Sequence, residues 1–88
     1  MRIIEGFKLR NIMGEFVIVA EGVAQVNFNK LVVINASASY LWQSVENKDF
    51  TPDELVILLV DKYGISTDRA IADVASIVDE WIQNGLIR

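Results

Sequence analysis

The chain has 88 residues, of which 52% are hydrophobic and 23% are charged, and its formal net charge is −4. This length and this balance suit one small folded domain and exclude a disordered chain. The sequence contains no Cys and no His, so disulfides, thiolate metal sites and the commonest general base are excluded. We therefore expect no metal, no cofactor and no enzymatic activity of its own.

Charge is distributed unevenly along the chain. Residues 1–34 carry a net charge of +1, whereas residues 35–88 carry −5. An acidic C-terminal half repels phosphate backbones, so nucleic acid is not expected as a partner. The longest apolar run, residues 55–60, is too short to span a bilayer, and the N-terminus lacks the apolar stretch of a signal peptide. We expect a soluble, cytoplasmic protein without a membrane partner.

The N-terminal part of the chain predicts antiparallel strands. Residues 7–12 alternate apolar and polar side chains, and after a turn residues 16–20 form the second strand of a hairpin. Residues 24–28 resume the alternation, and residues 29–30 form a two-residue turn into a strand at residues 31–34. This last strand, LVVI, does not alternate. Either it is buried between two layers, or one of its faces or edges is kept apolar for a partner.

Two helices are predicted next. The first is capped by Asn35, and its apolar residues recur at helical steps, namely Ala38, Leu41, Trp42 and Val45. Thr51, Pro52 and Glu54 form the capping box and proline start of the second helix, which ends at Gly64. Because residues 55–60 make this second helix apolar on almost every side, we predict that it is the most buried of the helices.

The third helix begins at Ser66 and ends at Asn84-Gly85. Six of its apolar residues are predicted to share one face: Ile71, Val74, Ala75, Val78, Trp81 and Ile82. Ala70 and Ile77 widen this stripe beyond the need of one neighbour, so part of it is expected to face a groove. The residues that follow the helix, Leu86 and Ile87, are expected to return to the core as a short strand or tail.

A run of strands followed by a run of helices predicts an α+β fold. We expect one domain over residues 1–88, in which an N-terminal antiparallel sheet of three or four strands is followed by three helices in a winged-helix-like arrangement. Arg69 opposes the dipole at the start of the third helix, so we expect it to form an ion pair with Asp73 at i+4.

Several stretches of the sequence, taken in order, resemble the PqqD family, which is named for a pyrroloquinoline quinone biosynthesis protein. Residues 31–42, LVVINASASYLW, resemble the strand and first-helix motif of that family. Residues 51–55, TPDEL, and residues 62–65, KYGI, are similar to the start and end of its second helix. Residues 81–87, WIQNGLI, resemble its closing motif. The resemblance covers the chain from Phe7 to Ile87.

The resemblance implies a domain that binds the leader segment of a ribosomally made precursor peptide. It also implies that the domain presents this peptide to a separate modifying enzyme, either a radical S-adenosylmethionine protein or a leader peptidase. In such domains the leader adds to the sheet as an extra strand and lies against the third helix. Carried over by position, the strand consists of Leu31, Val32, Val33, Ile34 and Asn35. The helix wall consists of Arg69, Asp73, Val74, Ile77, Val78 and Trp81.

Three points stay open from the sequence. This chain has an extra hairpin at residues 24–34 compared with shorter family members, so the strand with the open edge is undecided. A winged-helix DNA-binding protein is one alternative function. A structural subunit that forms a homodimer through the same apolar surface is another.

Overall fold

A computed structural model of the protein describes residues 1–22 and 31–88. Three strands form an antiparallel sheet in the order β1-β2-β3, with β1 at Phe7–Ile12, β2 at Glu15–Ala20 and β3 at Val32–Ile34. Three helices follow, α1 at Ala36–Val45, α2 at Pro52–Tyr63 and α3 at Thr67–Gln83. The predicted α+β order of a sheet followed by three helices is confirmed. The strand predicted at residues 24–28 lies outside the described residues.

A tight turn joins β1 to β2. Met13 and Gly14 occupy it with φ values of 53° and 85°, and Ile12 pairs directly with Glu15. Two consecutive positive φ values are typical of a type I′ turn, whose twist matches that of the flanking strands. The Asn11 side-chain oxygen accepts a hydrogen bond from the Gly14 N–H at 3.1 Å. The predicted hairpin is confirmed, with a turn one residue shorter than expected.

The helices cover one face of the sheet and enclose the core with it. Phe7, Ile18, Val32 and Ile34 supply the strand side chains of this core, and Val17 of β2 is buried as well. At the centre of the core, the Trp81 ring meets the Trp42 ring edge to face at a centroid distance of 5.3 Å and the Phe50 ring at 6.3 Å. These aromatic pairs tie α1 and the segment before α2 to α3.

Burial differs from the expectation for the helices. In α1, Leu41, Trp42 and Val45 are fully buried, whereas α2 buries only Leu55 and Leu59 among its residues. The prediction that α2 is the most buried helix is wrong. In a domain this small the far side of an outer helix has nothing to pack against, so apolar residues there remain in contact with solvent.

The ends of α2 and α3 follow their capping signals. The Thr51 hydroxyl accepts a hydrogen bond from the Glu54 N–H at 3.2 Å, and Gly64 ends α2 in the left-handed conformation with φ 64°. After α3, the Leu86 N–H donates to the Trp81 carbonyl and the Gly85 N–H to the Ile82 carbonyl. This pair of hydrogen bonds is a Schellman motif, which turns the chain back toward the core.

The two ends of the chain pair with each other. Ile3 and Ile87 form an antiparallel bridge. Beside it, the Arg2 N–H donates to the Arg88 carbonyl at 2.8 Å, and the Arg88 N–H donates to the Arg2 carbonyl at 2.9 Å. Ile87 is buried, which confirms that the residues after α3 return to the core. Within residues 1–22 and 31–88, no helix combines the length and apolar character that crossing a bilayer requires.

Candidate functional site

The strand β3 lies at one edge of the sheet. Its three residues pair with β2, from Phe16 opposite Ile34 to Ile18 opposite Val32. Among the strands of the described residues it has a neighbour on this side alone. An edge strand presents backbone N–H and C=O groups on its other side, and these groups can pair with a further extended chain.

Side chains on β3 alternate between the core and the solvent. Val32 and Ile34 are buried in the core, whereas Val33 is 55% exposed on the opposite face. Leu31, just before the strand, is 61% exposed. The interpretation in which this strand is buried on both faces is therefore wrong, and its outer face is open at Val33. Two large apolar side chains therefore lie exposed next to a strand edge that no other strand of residues 1–22 and 31–88 covers.

Asn35 is the N-cap of α1 and links this helix to β3. Its side-chain oxygen accepts hydrogen bonds from the Ala38 N–H at 2.8 Å and from the Ser37 hydroxyl at 3.0 Å. Because this capping satisfies an otherwise unpaired helix N–H, Asn35 fixes the point where the strand becomes a helix. The residue itself remains exposed.

The helix α3 contributes both buried and exposed members of the predicted wall. Val74, Ile77, Val78 and Trp81 are buried in the core together with Val32 and Ile34. Arg69 and Asp73 lie at the surface, and the predicted ion pair between them is present at 3.8 Å. The structure thus divides the eleven predicted site residues into two groups. The surface group is Leu31, Val33, Asn35, Arg69 and Asp73, and the core group is Val32, Ile34, Val74, Ile77, Val78 and Trp81.

The core group belongs to a single hydrophobic core to which both β3 and α3 contribute side chains. A side chain that is buried in the core has little surface that a ligand can contact, and Trp81, for example, is only 1% exposed. These six residues instead form part of the interior that supports the strand and the helix, and close-packed interiors resist deformation. The surface group is therefore the part of the predicted site that can touch a ligand directly.

One flank of α3 is more exposed than the sequence predicts. Ile71, Ala75 and Ile82 are predicted to share one apolar face with Val74, Val78 and Trp81, yet Ile71 and Ile82 are about half exposed, and Ala75 is exposed as well. The buried stripe is instead formed by Ala70, Val74, Ile77, Val78 and Trp81. Ile71, Ala75 and Ile82 follow helical spacing, so they form a second apolar stripe beside the buried one.

A polar groove of about 370 Å³ lies where the two chain ends meet. Its charged lining residues are Arg2, Glu5, Lys8, Glu46 and Arg88. Nothing in the sequence pattern predicts this groove, because it depends on the pairing of residues 2–4 with residues 86–88. Cations and carboxylates line it together, so it has no strong preference for one sign of charge. The described residues contain no group of three side chains able to ligate a metal ion.

The exposure of Val33 leads to a prediction about stability. Val33→Asp is expected to leave the three helices intact and to lower the free energy of unfolding by about 1 kcal/mol at most, the span of strand propensities. Ile34→Asp, the matched control, places a charge in the core and is expected to unfold the protein. Thermal melts followed by far-UV circular dichroism distinguish the two. If both variants unfold alike, the outer face of β3 is not open.

The fold and the site together define a small α+β domain in which exposed apolar side chains flank an edge strand, and this strand shares a hydrophobic core with the long helix α3. The family model described as coenzyme PQQ synthesis protein D (PqqD) matches residues 15–87. The chain belongs to the PqqD family, in agreement with the resemblance of its motifs.

Solved structures share the fold. One, described as TbiB1 in complex with the TbiA(beta) leader peptide, is 17% identical and superposes with a TM-score of 0.75 over 100% of this chain and 95% of that one. Another, lasso peptide synthetase B1 complexed with the leader peptide, is 16% identical with a TM-score of 0.71, covering 99% and 95% of the two chains. At these identities the likeness establishes the fold. A search of curated proteins finds no match.

Proposed function

We propose that this protein captures the leader segment of a ribosomally made precursor peptide and presents it to a separate modifying enzyme. The leader adds as a further strand along the outer edge of β3, beside the exposed side chains of Leu31 and Val33. Membership of the PqqD family supports this role, and so do the leader-peptide complexes of the two structures with the same fold.

The observation that carries the proposal is the outer edge of β3, which no other strand in the described part of the chain covers, with the apolar side chains of Leu31 and Val33 beside it. Main-chain hydrogen bonds to an edge strand give affinity for any extended peptide, and neighbouring side chains select among sequences. The second wall is α3, which contributes side chains to the same hydrophobic core as β3. In this mechanism the protein changes no bond of the peptide. It supplies a binding surface, and the chemistry belongs to a partner such as a radical S-adenosylmethionine enzyme or a leader peptidase.

The acidic helices favour this function over DNA binding. A DNA-binding domain of helix-turn-helix type places a helix against the phosphate-lined major groove. Here α3 carries four carboxylates, those of Asp68, Asp73, Asp79 and Glu80, against the single cation Arg69. That charge opposes duplex DNA. Because precursor peptides are made on ribosomes, we place the encounter in the cytoplasm.

Peptides with single N-methylated residues test the strand addition. The peptide is the leader segment of the precursor encoded beside this protein's gene, and isothermal titration measures its affinity. In an antiparallel pair, alternate residues direct their N–H groups toward the neighbouring strand. A single N-methyl group at a residue whose N–H faces β3 is therefore expected to weaken binding about tenfold, because a hydrogen bond is lost and the methyl group clashes with the strand. Such residues occur at every second position of the peptide, and a methyl group at a position between them should have little effect.

Backbone amide shifts locate the contact in the same experiment. Addition of the unmethylated leader is expected to shift the amide signals of β3 more than those of β1. A leader that does not bind, or one that loses affinity equally wherever it is methylated, would contradict strand addition at this edge.

A further inference from the structure

The strand wall of the proposed site is apolar and uncharged. Leu31 and Val33 expose their side chains, and no residue of β3 is ionisable. Successive side chains of an extended peptide point to opposite faces, so residues two apart in a peptide beside β3 lie on the same face as Val33. Apolar side chains at those alternate positions would bury surface against Leu31 and Val33.

The helix wall is acidic. Asp73 is the least exposed of the four carboxylates on α3, with 45% of its side chain accessible. It lies at the border of the buried stripe, three residues after Ala70 and four before Ile77, both of which are buried. Asp73 therefore sits where the surface of α3 meets the core, whereas Asp68, Asp79 and Glu80 are exposed.

The present partner of Asp73 leaves it able to accept another cation. Arg69 approaches to 3.8 Å and is itself 71% exposed. Exposed ion pairs at this spacing contribute little to stability, so an incoming cation can share or replace this contact at small cost. A carboxylate beside a low-dielectric wall also attracts a cation more strongly than a fully solvated one does.

Resting on the proposed function, we infer that the bound segment is an extended, basic peptide of defined pattern. Apolar residues at every second position lie beside Leu31 and Val33, and a Lys or Arg at an intervening position pairs with Asp73. The protein then selects its precursor by charge as well as by apolar contact. Acidic segments are rejected, because they bring like charge to α3.

A displayed library of random 12-residue peptides, selected on the immobilised protein, tests this pattern. Selection on the wild-type chain is expected to enrich apolar residues at alternate positions with Lys or Arg between them. Selection on Asp73→Lys is expected to replace that basic residue by Asp or Glu. The matched control is Asp79→Lys, which changes the net charge equally but lies about 120° away around the helix axis. It is expected to leave the wild-type pattern unchanged.

Synthetic versions of an enriched peptide give the size of the effect. The peptide with Lys is expected to bind wild type about fivefold more tightly than its Lys→Glu version at low salt, and Asp73→Lys should reverse this preference. Alternating apolar peptides without a charge preference, or equal shifts for Asp73→Lys and Asp79→Lys, would overturn the charge rule while the strand-addition proposal stands. If no extended peptide is enriched at all, both fail together.

Discussion

Replacing Trp81 with alanine is expected to lower the free energy of unfolding by about 3–5 kcal/mol. The indole ring is 1% exposed and meets the rings of Trp42 and Phe50 edge to face. Truncation removes both aromatic contacts and leaves a cavity where α3 meets α1. Domains of this size have a total stability of about 4–13 kcal/mol, so the variant loses a large part of it.

Urea unfolding followed by far-UV circular dichroism measures this loss. Trp81→Phe keeps a ring in the core and is expected to cost clearly less than the alanine variant. The matched control is Ile82→Ala, the next residue of the same helix, whose side chain is half exposed and whose truncation is expected to cost about 0.5 kcal/mol. Equal losses for Trp81→Ala and Ile82→Ala would show that the indole is not part of the core.

The burial of Trp81 also determines how binding data on this residue are interpreted. The family resemblance assigns Trp81 to the wall that faces the peptide, whereas the structure places its ring inside the core. A Trp81 variant that binds leader poorly is therefore expected to be a partly unfolded protein. Binding measurements on such a variant need a stability measurement beside them before any direct contact is inferred.

Signals that are local in sequence predicted the secondary structure well. The caps Asn35, Thr51 and Ser66 each accept the hydrogen bond expected of them, from Ala38, Glu54 and Arg69 respectively. A cap needs only the three residues after it, so its meaning does not depend on the rest of the fold. The positions of Gly64 and Gly85 at the helix ends follow for the same reason.

Signals that depend on distant neighbours were predicted less well. Two apolar stripes overlap on α3, one through Val74 and Trp81 and the other through Ile71 and Ile82. Both satisfy helical spacing, so periodicity alone cannot decide which one packs against the core. Ile87, in the residues after α3, forms a bridge with Ile3, which is 84 positions earlier in the sequence. No local pattern predicts such a contact.

The candidate site was predictable only in outline. An apolar run at residues 31–34 predicts a strand with apolar side chains that can be buried. Which of these side chains face the core and which face the solvent depends on the elements that pack against each face of the sheet. Strand alternation places Val33 and Ile34 on opposite faces of the sheet, but it does not say which side chains are covered: Val17, the partner of Val33 in β2, is buried. Only the structure identifies Leu31 and Val33 as the exposed apolar pair.

Replacing this pair with lysines is expected to weaken leader binding about 30-fold. Each apolar side chain that the peptide covers on β3 contributes about 1 kcal/mol, and two such losses multiply in the dissociation constant. The double variant Leu31→Lys, Val33→Lys should keep its fold, because both side chains are exposed before the change. Isothermal titration with the leader peptide measures the affinity, and far-UV circular dichroism checks the fold.

The matched control is the double variant Ile71→Lys, Ile82→Lys. It adds the same charge and removes two apolar side chains that are about as exposed as Leu31 and Val33. These two side chains belong to the second apolar stripe of α3 and not to β3. If the peptide lies along β3, this control keeps an affinity within about threefold of wild type. If the control loses affinity and the β3 variant does not, the apolar surface that receives the peptide is the second stripe of α3. Strand addition at β3 would then be wrong, even though the protein binds leader peptide.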